Sequence, residues 1–188
     1  MNVKNTHKEF QSLSLFEFGY YLYEHHRPPK EILQIPAESL YEQSQQKIIQ
    51  SSFKRVPTFK TEPEPIPPKV TSSSGYIYQI NPYKSRRAII DSGFSCEYDK
   101  SHESFIRKNN ENKYTEAHHL IPRQFQYKFK YSLDVTANIV SLCSNCHNWL
   151  HYGKDIELIL RRLYDDRIDK LREVELNVSF EVLLSYYK

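Results

Sequence analysis

Metal-ligand side chains are concentrated in one run of the chain, between Cys96 and Gly153. All three cysteines lie in this run, together with five of the eight histidines. Thiolate and imidazole are soft or borderline ligands, and their concentration in one segment is typical of metal binding. The spacing predicts two sites: a closed site built from cysteine and histidine, and an open site built from histidine alone.

The closed site begins with the Cys-x2-Cys pair of Cys143 and Cys146. Tetrahedral zinc needs four ligands, brought together by two tight turns. Cys96 and His102 can supply the second turn, and Asp99, which stands where a second knuckle cysteine would be, is the alternative to His102. We therefore predict a structural Zn²⁺ that replaces apolar burial in a polar chain. Buried cysteines without a metal are the alternative.

The open site is predicted from four histidines. His147 and His151 are four residues apart on a predicted helix, so they share one face. His118 and His119 are consecutive on a predicted strand, so they point to opposite faces. We expect His118, His147 and His151 to bind one divalent ion and to leave positions for a substrate. His119 is then a natural general base, because imidazole titrates near neutral pH.

These parts suit the hydrolysis of a phosphodiester. A base activates water, and a cation stabilises charge on the phosphate and on the departing oxygen. Asn138 precedes the second predicted strand, and its amide can bond to the backbone of the loop that carries the histidines. The alternatives are that the histidines surround the zinc site or fill the core, and that Asn138 is an ordinary turn residue.

The elements that must position these residues follow a strand–loop–strand–helix order. Strands are predicted at 114–120 and 139–142, and a helix at 145–152. Further helices are expected at 83–92 and at 179–187, where Ser179 is a suitable cap. Between them, one amphipathic helix carries an apolar stripe of Ile156, Ile159, Leu160, Leu163, Ile168 and Leu171.

A Pro- and Ser-rich stretch divides the chain. We expect residues 57–75 to be an extended linker, because proline at alternate positions blocks both helix and sheet pairing. It separates an N-terminal region, 1–56, from a motif-bearing domain, 76–188. The N-terminal region has helical spacing at 15–22 and 39–53 and no chemical motif, so recognition or partner docking is its expected role.

Composition limits the location and the partners. Three cysteines cannot all pair within the chain, which with the knuckle spacing favours a reducing compartment, the cytoplasm. No apolar run approaches the ~20 residues that span a bilayer. The net charge of +3 is small, but residues 84–130 carry ten Lys or Arg against six Asp or Glu. This surplus suits a phosphate backbone or an ordinary solvated surface. The candidate phosphate contacts are Arg86, Arg87, Arg123, Lys128 and Lys130.

The motif residues resemble the HNH endonuclease family, whose His–Asn–His order is found here as His119, Asn138 and His147. The most specific parts are Glu-Ala-His-His-Leu-Ile-Pro at 116–122 and Asn-Ile-Val-Ser-Leu-Cys-x2-Cys-His-x3-His at 138–151. The resemblance covers roughly 84–187. It implies an α+β protein with a ββα-metal core and a zinc knuckle, flanked by C-terminal helices and preceded by a separate, mostly helical N-terminal region.

The resemblance also implies roles and ligands. His119 would be the general base, Asn138 would orient the base or its loop, and His118 and His147 would bind the catalytic ion. His151 matches a third metal-binding histidine. The expected cofactors are one Mg²⁺, Mn²⁺ or Ni²⁺ ion and a structural Zn²⁺. Three imidazoles suit Mn²⁺ or Ni²⁺ better than Mg²⁺, which prefers oxygen.

The resemblance extends to bacterial restriction and phage-defence nucleases. Double-stranded DNA is the expected substrate, with 5′-phosphate and 3′-hydroxyl products. A second copy of the chain or a restriction or defence subunit is the candidate protein partner. Two alternatives stay open: a nuclease subunit that is active only in a complex, and a non-catalytic zinc-knuckle protein that binds nucleic acid.

Overall fold

The computed structural model describes residues 56–72, 75–108 and 110–188. The strands are β1 (Lys69–Ser72), β2 (Gly75–Tyr78), β3 (Glu116–His119) and β4 (Ile139–Leu142). The helices are α1 (Pro82–Asp91), α2 (Ser144–Tyr152), α3 (Glu157–Glu173) and α4 (Phe180–Ser185), with short 3-10 turns at Arg123–Lys128 and Thr136–Asn138. The helices expected at 15–22 and 39–53 lie outside the described residues.

Strands β3 and β4 form a two-stranded antiparallel sheet in which Glu116 lies opposite Leu142 and His119 opposite Ile139. Helix α2 follows β4 directly, which confirms the strand–loop–strand–helix order. The strand predicted at 114–120 is shorter in the structure. At its start the Tyr114 N–H donates to the Phe105 carbonyl at 2.8 Å, so the chain pairs there with a different segment.

The two faces of this sheet meet different helices. Ala117 packs with Ile89 of α1 and Ile139 of β4 in a small apolar cluster. The neighbouring His118 faces the other way, where its ring meets His147 of α2 with the centroids 5.3 Å apart. Because side chains alternate along a strand, β3 presents His118 to α2 and His119 to the side of α1.

Helix α3 packs on the larger core through the expected apolar stripe, with one exception. Ile168 is only half-buried, whereas the neighbouring Arg167 is buried. The Arg167 guanidinium donates to Glu97 Oε2 at 2.5 Å and to the Thr136 carbonyl at 3.2 Å. Burial of this charge is tolerated because it is paired and hydrogen-bonded.

The C-terminal helix α4 begins as expected, since Ser179 Oγ accepts a hydrogen bond from the Val182 N–H at 3.3 Å. Its Leu183 is fully buried in the larger core. Among the helices of the described residues, none has the length and apolar character needed to cross a membrane.

The segment predicted as a linker contacts the rest of the described chain. The Glu64 carbonyl accepts from the Ser132 N–H at 2.9 Å, and its carboxylate pairs with Lys84 Nζ at 2.5 Å. A strand also begins inside it, since β1 pairs with β2 once the prolines end at Pro68. The division of the chain into domains stays a prediction.

Candidate metal centres and catalytic histidine

The closed site is assembled at the junction of β4 and α2. Cys143 is the N-cap of α2 and Cys146 lies in its first turn. Together with Cys96 and His102 they bring one ligand atom each within 4.8 Å of one another. His102 Nδ1 lies 3.3 Å from Cys146 Sγ and 3.7 Å from Cys143 Sγ. The Glu97 N–H donates to the Ser141 carbonyl at 2.8 Å and so holds the Cys96 loop against β4.

The three thiols are buried and unbridged, and the proximity of Cys96 and Cys146 shifts the pKa of both. A hydrogen bond from the Cys146 thiol lowers the pKa of Cys96 to about 4, against the effect of burial and with help from backbone N–H groups and His102. Hydrogen bonding to Cys96, then burial, in turn raises the pKa of Cys146. Three sulfurs and one imidazole nitrogen make a donor set that fits a structural Zn²⁺, whose binding would displace the remaining thiol protons.

Asp99, the alternative to His102, lies outside this cluster. Its Oδ2 is 3.8 Å from Nε2 of His102, the nitrogen that points away from the thiols. Its Oδ1 accepts from the Ser101 N–H at 2.8 Å and the Ser101 hydroxyl at 2.7 Å. His102, and not Asp99, is therefore the residue whose ligand atom lies with those of the three cysteines.

The open site brings together the three expected histidines. The ring centroids of His118 and His151 are 4.9 Å apart, and those of His147 and His151 are 4.7 Å apart. One nitrogen from each ring lies within 4.8 Å of the others. His118 and His147 are buried, and His151 is half-buried at the edge. Three convergent imidazoles suit a divalent transition-metal ion.

Two further residues set which nitrogen the buried histidines present. The Tyr187 hydroxyl donates to the Leu120 carbonyl at 2.8 Å, so its oxygen accepts from His118 Nε2 at 2.9 Å. His147 Nδ1 lies 2.9 Å from the Glu116 carboxylate, which accepts its proton. This hydrogen bonding puts the lone pairs on His118 Nδ1 and His147 Nε2. Neither Glu116 nor Tyr187 has a role that follows from its spacing in the sequence.

His119 does not belong to the three-histidine cluster. Its Nε2 lies 3.1 Å from Oδ1 of Asp134, and each side chain is only 5% exposed. The other carboxylate oxygen accepts from the Asn81 N–H at 2.7 Å. Burial opposes ionisation of Asp134, but hydrogen bonding and attraction to His119, aided by Asn81 and Arg123, hold its carboxyl pKa below the usual value. Asp134 is not among the residues expected from the sequence, since no spacing rule marks it.

Asn138 is fully buried and ties two segments together. Its Oδ1 accepts from the Ile121 N–H at 2.8 Å, while Nδ2 donates to the carbonyls of Ile121 and Leu133 at 3.0 and 2.9 Å. The Leu120 N–H also donates to the Asn138 carbonyl at 2.8 Å. The amide thus holds the chain after His119 beside the segment that leads to Asp134.

The candidate phosphate contacts have varied surroundings. Arg87 forms an ion pair with Asp91, and Arg123 donates to the Tyr78 carbonyl at 2.5 Å. The ammonium groups of Lys128 and Lys130 lie over the rings of Tyr186 and Tyr131, at 4.8 and 4.7 Å. Arg86 lies close enough to Arg107 for charge repulsion between them. As phosphate contacts, all five stay predictions.

The segment that carries both candidate metal sites, His119 and Asn138 also matches known proteins. Residues 95–154 match the family model described as HNH endonuclease. This segment belongs to the HNH endonuclease family. The type IV methyl-directed restriction enzyme EcoKMcrA of Escherichia coli (strain K12) is 41% identical over 56 residues. The aligned part covers 30% of this chain and 18% of that enzyme.

Proposed function

We propose that the chain is a metal-dependent endonuclease that hydrolyses phosphodiester bonds in DNA. The observation that carries the proposal is the group of three converging histidines in the HNH segment. A merely structural role would not need three imidazoles gathered next to a complete Cys₃His site. The grouping therefore favours a catalyst over a binding-only zinc-knuckle protein.

In this proposal His119 is the general base. A carboxylate accepts hydrogen bonds, so His119 donates Nε2–H to Asp134 and keeps its lone pair on Nδ1. That nitrogen takes the proton from the attacking water. Asp134 then stabilises the imidazolium that forms, and Asn138 keeps the base and its loop in position.

A divalent ion would be held by His118, His147 and His151. When bound, it supplies positive charge to the phosphate oxygen and to the departing 3′-oxygen. Glu116 and Tyr187 fix the rings of His147 and His118 in the orientation for binding. The donor set of three nitrogens favours Mn²⁺ or Ni²⁺ over Mg²⁺. The cluster of Cys96, His102, Cys143 and Cys146 would hold the structural Zn²⁺.

We further propose a role in restriction or phage defence, with double-stranded DNA as the substrate. The support is the match to an enzyme that is named as methyl-directed, although the aligned segment is only 18% of that enzyme. Target recognition would then come from the N-terminal region, from a second copy or from a partner subunit.

The test is cleavage of plasmid DNA, methylated and unmethylated, with Mg²⁺, Mn²⁺ or Ni²⁺. We expect metal-dependent cutting by the wild type, at least as fast with Mn²⁺ or Ni²⁺ as with Mg²⁺, and its loss in His119→Ala. His25→Ala, a histidine outside the motif, is the matched control and should cut normally. No cutting by zinc-loaded wild type with any ion would contradict a free-standing nuclease, and strict Mg²⁺ dependence would count against His151 as a ligand.

A further inference from the structure

A cavity of about 390 Å³ opens beside the open metal site. This volume falls within the roughly 300–1,000 Å³ of sites that hold small organic groups. One wall is formed by Glu116 and Ser144. These two residues are hydrogen-bonded to each other at 2.6 Å, and Glu116 is the residue that contacts His147. The cavity therefore borders directly on the support of a proposed metal ligand.

Another part of the cavity lining is aromatic. The rings of Phe105 and Tyr114 are stacked, with centroids 4.7 Å apart and planes inclined by 16°. Phe105 is nevertheless 63% exposed, so much of its ring surface faces solvent. The backbone holds the pair in place, because the Tyr114 N–H donates to the Phe105 carbonyl and Ile106 forms a β-bridge with Lys113. The Phe105 ring is thus held in a fixed position while much of its surface stays open to solvent.

Positively charged side chains lie at the same aromatic part of the cavity lining. The guanidinium of Arg107 lies 5.1 Å from the Tyr114 ring centroid and donates to the Thr115 carbonyl at 3.0 Å. Burial, with charge repulsion from Arg86, lowers the pKa of Arg107, so a second cation is near. Lys108 is exposed at the cavity. The carboxylate of Glu116, which also lines the cavity, is hydrogen-bonded to Ser144 and His147.

We propose that this cavity receives one unstacked nucleotide of the DNA substrate, with its base against Phe105 and its phosphate beside Lys108. The inference rests on the proposed function and adds to it the part of the substrate that the site takes. An aromatic face stacks on any base, and a neighbouring cation binds the backbone. A paired base must first leave the duplex, which costs least where it has no partner.

The test compares binding of two short fluorescein-labelled duplexes that differ by one unpaired nucleotide. Full-length, zinc-loaded protein with His119→Ala and no added divalent ion is used, so that the DNA is not cut. We expect the duplex with the unpaired nucleotide to bind about tenfold more tightly. Phe105→Leu should abolish this preference and Phe105→Trp should keep it. Tyr127→Leu removes an aromatic ring that is 70% exposed and does not line the cavity, so it should also keep the preference.

A second measurement guards against a misfolded variant. The fluorescent base 2-aminopurine is placed at the unpaired position, where stacking on Phe105 should quench its fluorescence when the protein binds. The Phe105→Leu variant, whose circular dichroism must match that of the parent protein, should not quench it. A preference that is absent, or that survives Phe105→Leu, overturns the inference while metal-dependent plasmid cleavage still stands. If the preference for the unpaired nucleotide depends on Phe105 but the wild type does not cleave DNA with any metal ion, the result supports nucleotide binding in the cavity and contradicts the proposed nuclease activity.

Discussion

At the scale of single residues, the buried partners of the histidines decide which nitrogen each ring presents. Glu116 accepts from His147 Nδ1, and Asp134 accepts from His119 Nε2. Loss of such a carboxylate leaves the ring in place but removes the reason for its tautomer. The two carboxylates therefore affect different steps, since one supports a proposed metal ligand and the other the proposed base.

The first prediction concerns Glu116. We expect Glu116→Gln to weaken binding of Mn²⁺ about 10- to 100-fold, because an amide no longer favours the His147 tautomer that presents Nε2. Zinc content should not change, since Glu116 is not in the Cys₃His cluster. Isothermal titration calorimetry measures the affinity, and the exposed Glu157→Gln is the control. Wild-type Mn²⁺ affinity in Glu116→Gln would refute the role.

The second prediction concerns catalysis through Asp134. We expect Asp134→Asn to slow cleavage about 10- to 100-fold, because the amide does not stabilise the imidazolium of His119. Binding of uncut DNA should stay the same, since Asp134 is buried. Cleavage rates and anisotropy measure the two effects, with the exposed Asp169→Asn as control. A parallel loss of DNA binding would show that the change disturbs the surface instead.

The third prediction follows from the lowered pKa of Asp134. A carboxyl whose folded-state pKa lies below its ordinary value of 3.8 stabilises the fold fully above that value. The stabilisation is lost as the pH falls through the lower folded-state pKa. Wild type should thus exceed Asp134→Asn by about 1–3 kcal/mol at neutral pH, and the difference should shrink below pH 3.8. Urea denaturation at both pH values tests this, and a difference independent of pH would contradict it.

The site residues that could be predicted from the sequence are those that lie at a characteristic spacing within a short segment. Cys143 and Cys146 mark a knuckle by themselves, and His147 and His151 mark one helix face. Asp134 could not be found this way, because it meets His119 across 15 positions through a fold that no local pattern encodes. Tyr187 meets His118 across 69 positions for the same reason.

At the scale of elements, the chain at the end of α2 packs too closely on Trp149 to leave room for a side chain at Gly153. The Gly153 N–H donates to the Trp149 carbonyl at 2.8 Å. A Cβ at Gly153 would lie 2.0 Å from Trp149 Cδ1 and 2.6 Å from the Trp149 backbone oxygen. Crowding therefore explains why this position is a glycine. A left-handed conformation does not explain it, because φ at Gly153 is −76°.

The fourth prediction compares two glycines. We expect Gly153→Ala to lower the free energy of unfolding by about 1–3 kcal/mol, because Trp149 and the chain must move apart. Gly93→Asn should be nearly neutral, since a Cβ there has no neighbour within 4 Å and Asn tolerates φ of +66°. Urea denaturation followed by the fluorescence of Trp149, the single tryptophan of the chain, measures both. Equal losses in the two variants would contradict the crowding argument.

Helix α3 shows where periodicity succeeds and where it fails as a guide to elements. The spacing of Ile159, Leu160 and Leu163 predicted the buried stripe correctly, since all three are at most 1% exposed. The stripe placed Ile168 in the core, yet Arg167 is the residue that is buried. Its partner Glu97 lies 70 positions away, so the pattern within the helix could not reveal the pairing.

At the scale of the whole molecule, the two candidate metal sites link different parts of the chain. The Cys₃His cluster joins the loop after α1 to the start of α2 and therefore links distant parts of the chain. The three-histidine cluster joins β3 to α2, two elements that already contact each other. Loss of an ion from the Cys₃His site should therefore destabilise the fold, whereas loss of an ion from the three-histidine site should abolish cleavage.

The fifth prediction separates the two sites by metal content and folding. We expect the wild type to bind zinc together with a second, exchangeable ion. Cys146→Ser should lose the zinc and a large part of the stability, because the free energy of binding a structural zinc is folding free energy. His151→Ala should lose the exchangeable ion and cleavage while its melting curve and zinc content match the wild type. Elemental analysis with circular dichroism melts, before and after chelation, measures both. A His151→Ala protein that unfolds like Cys146→Ser would mean that the open cluster is structural, and the nuclease proposal would lose the observation that carries it.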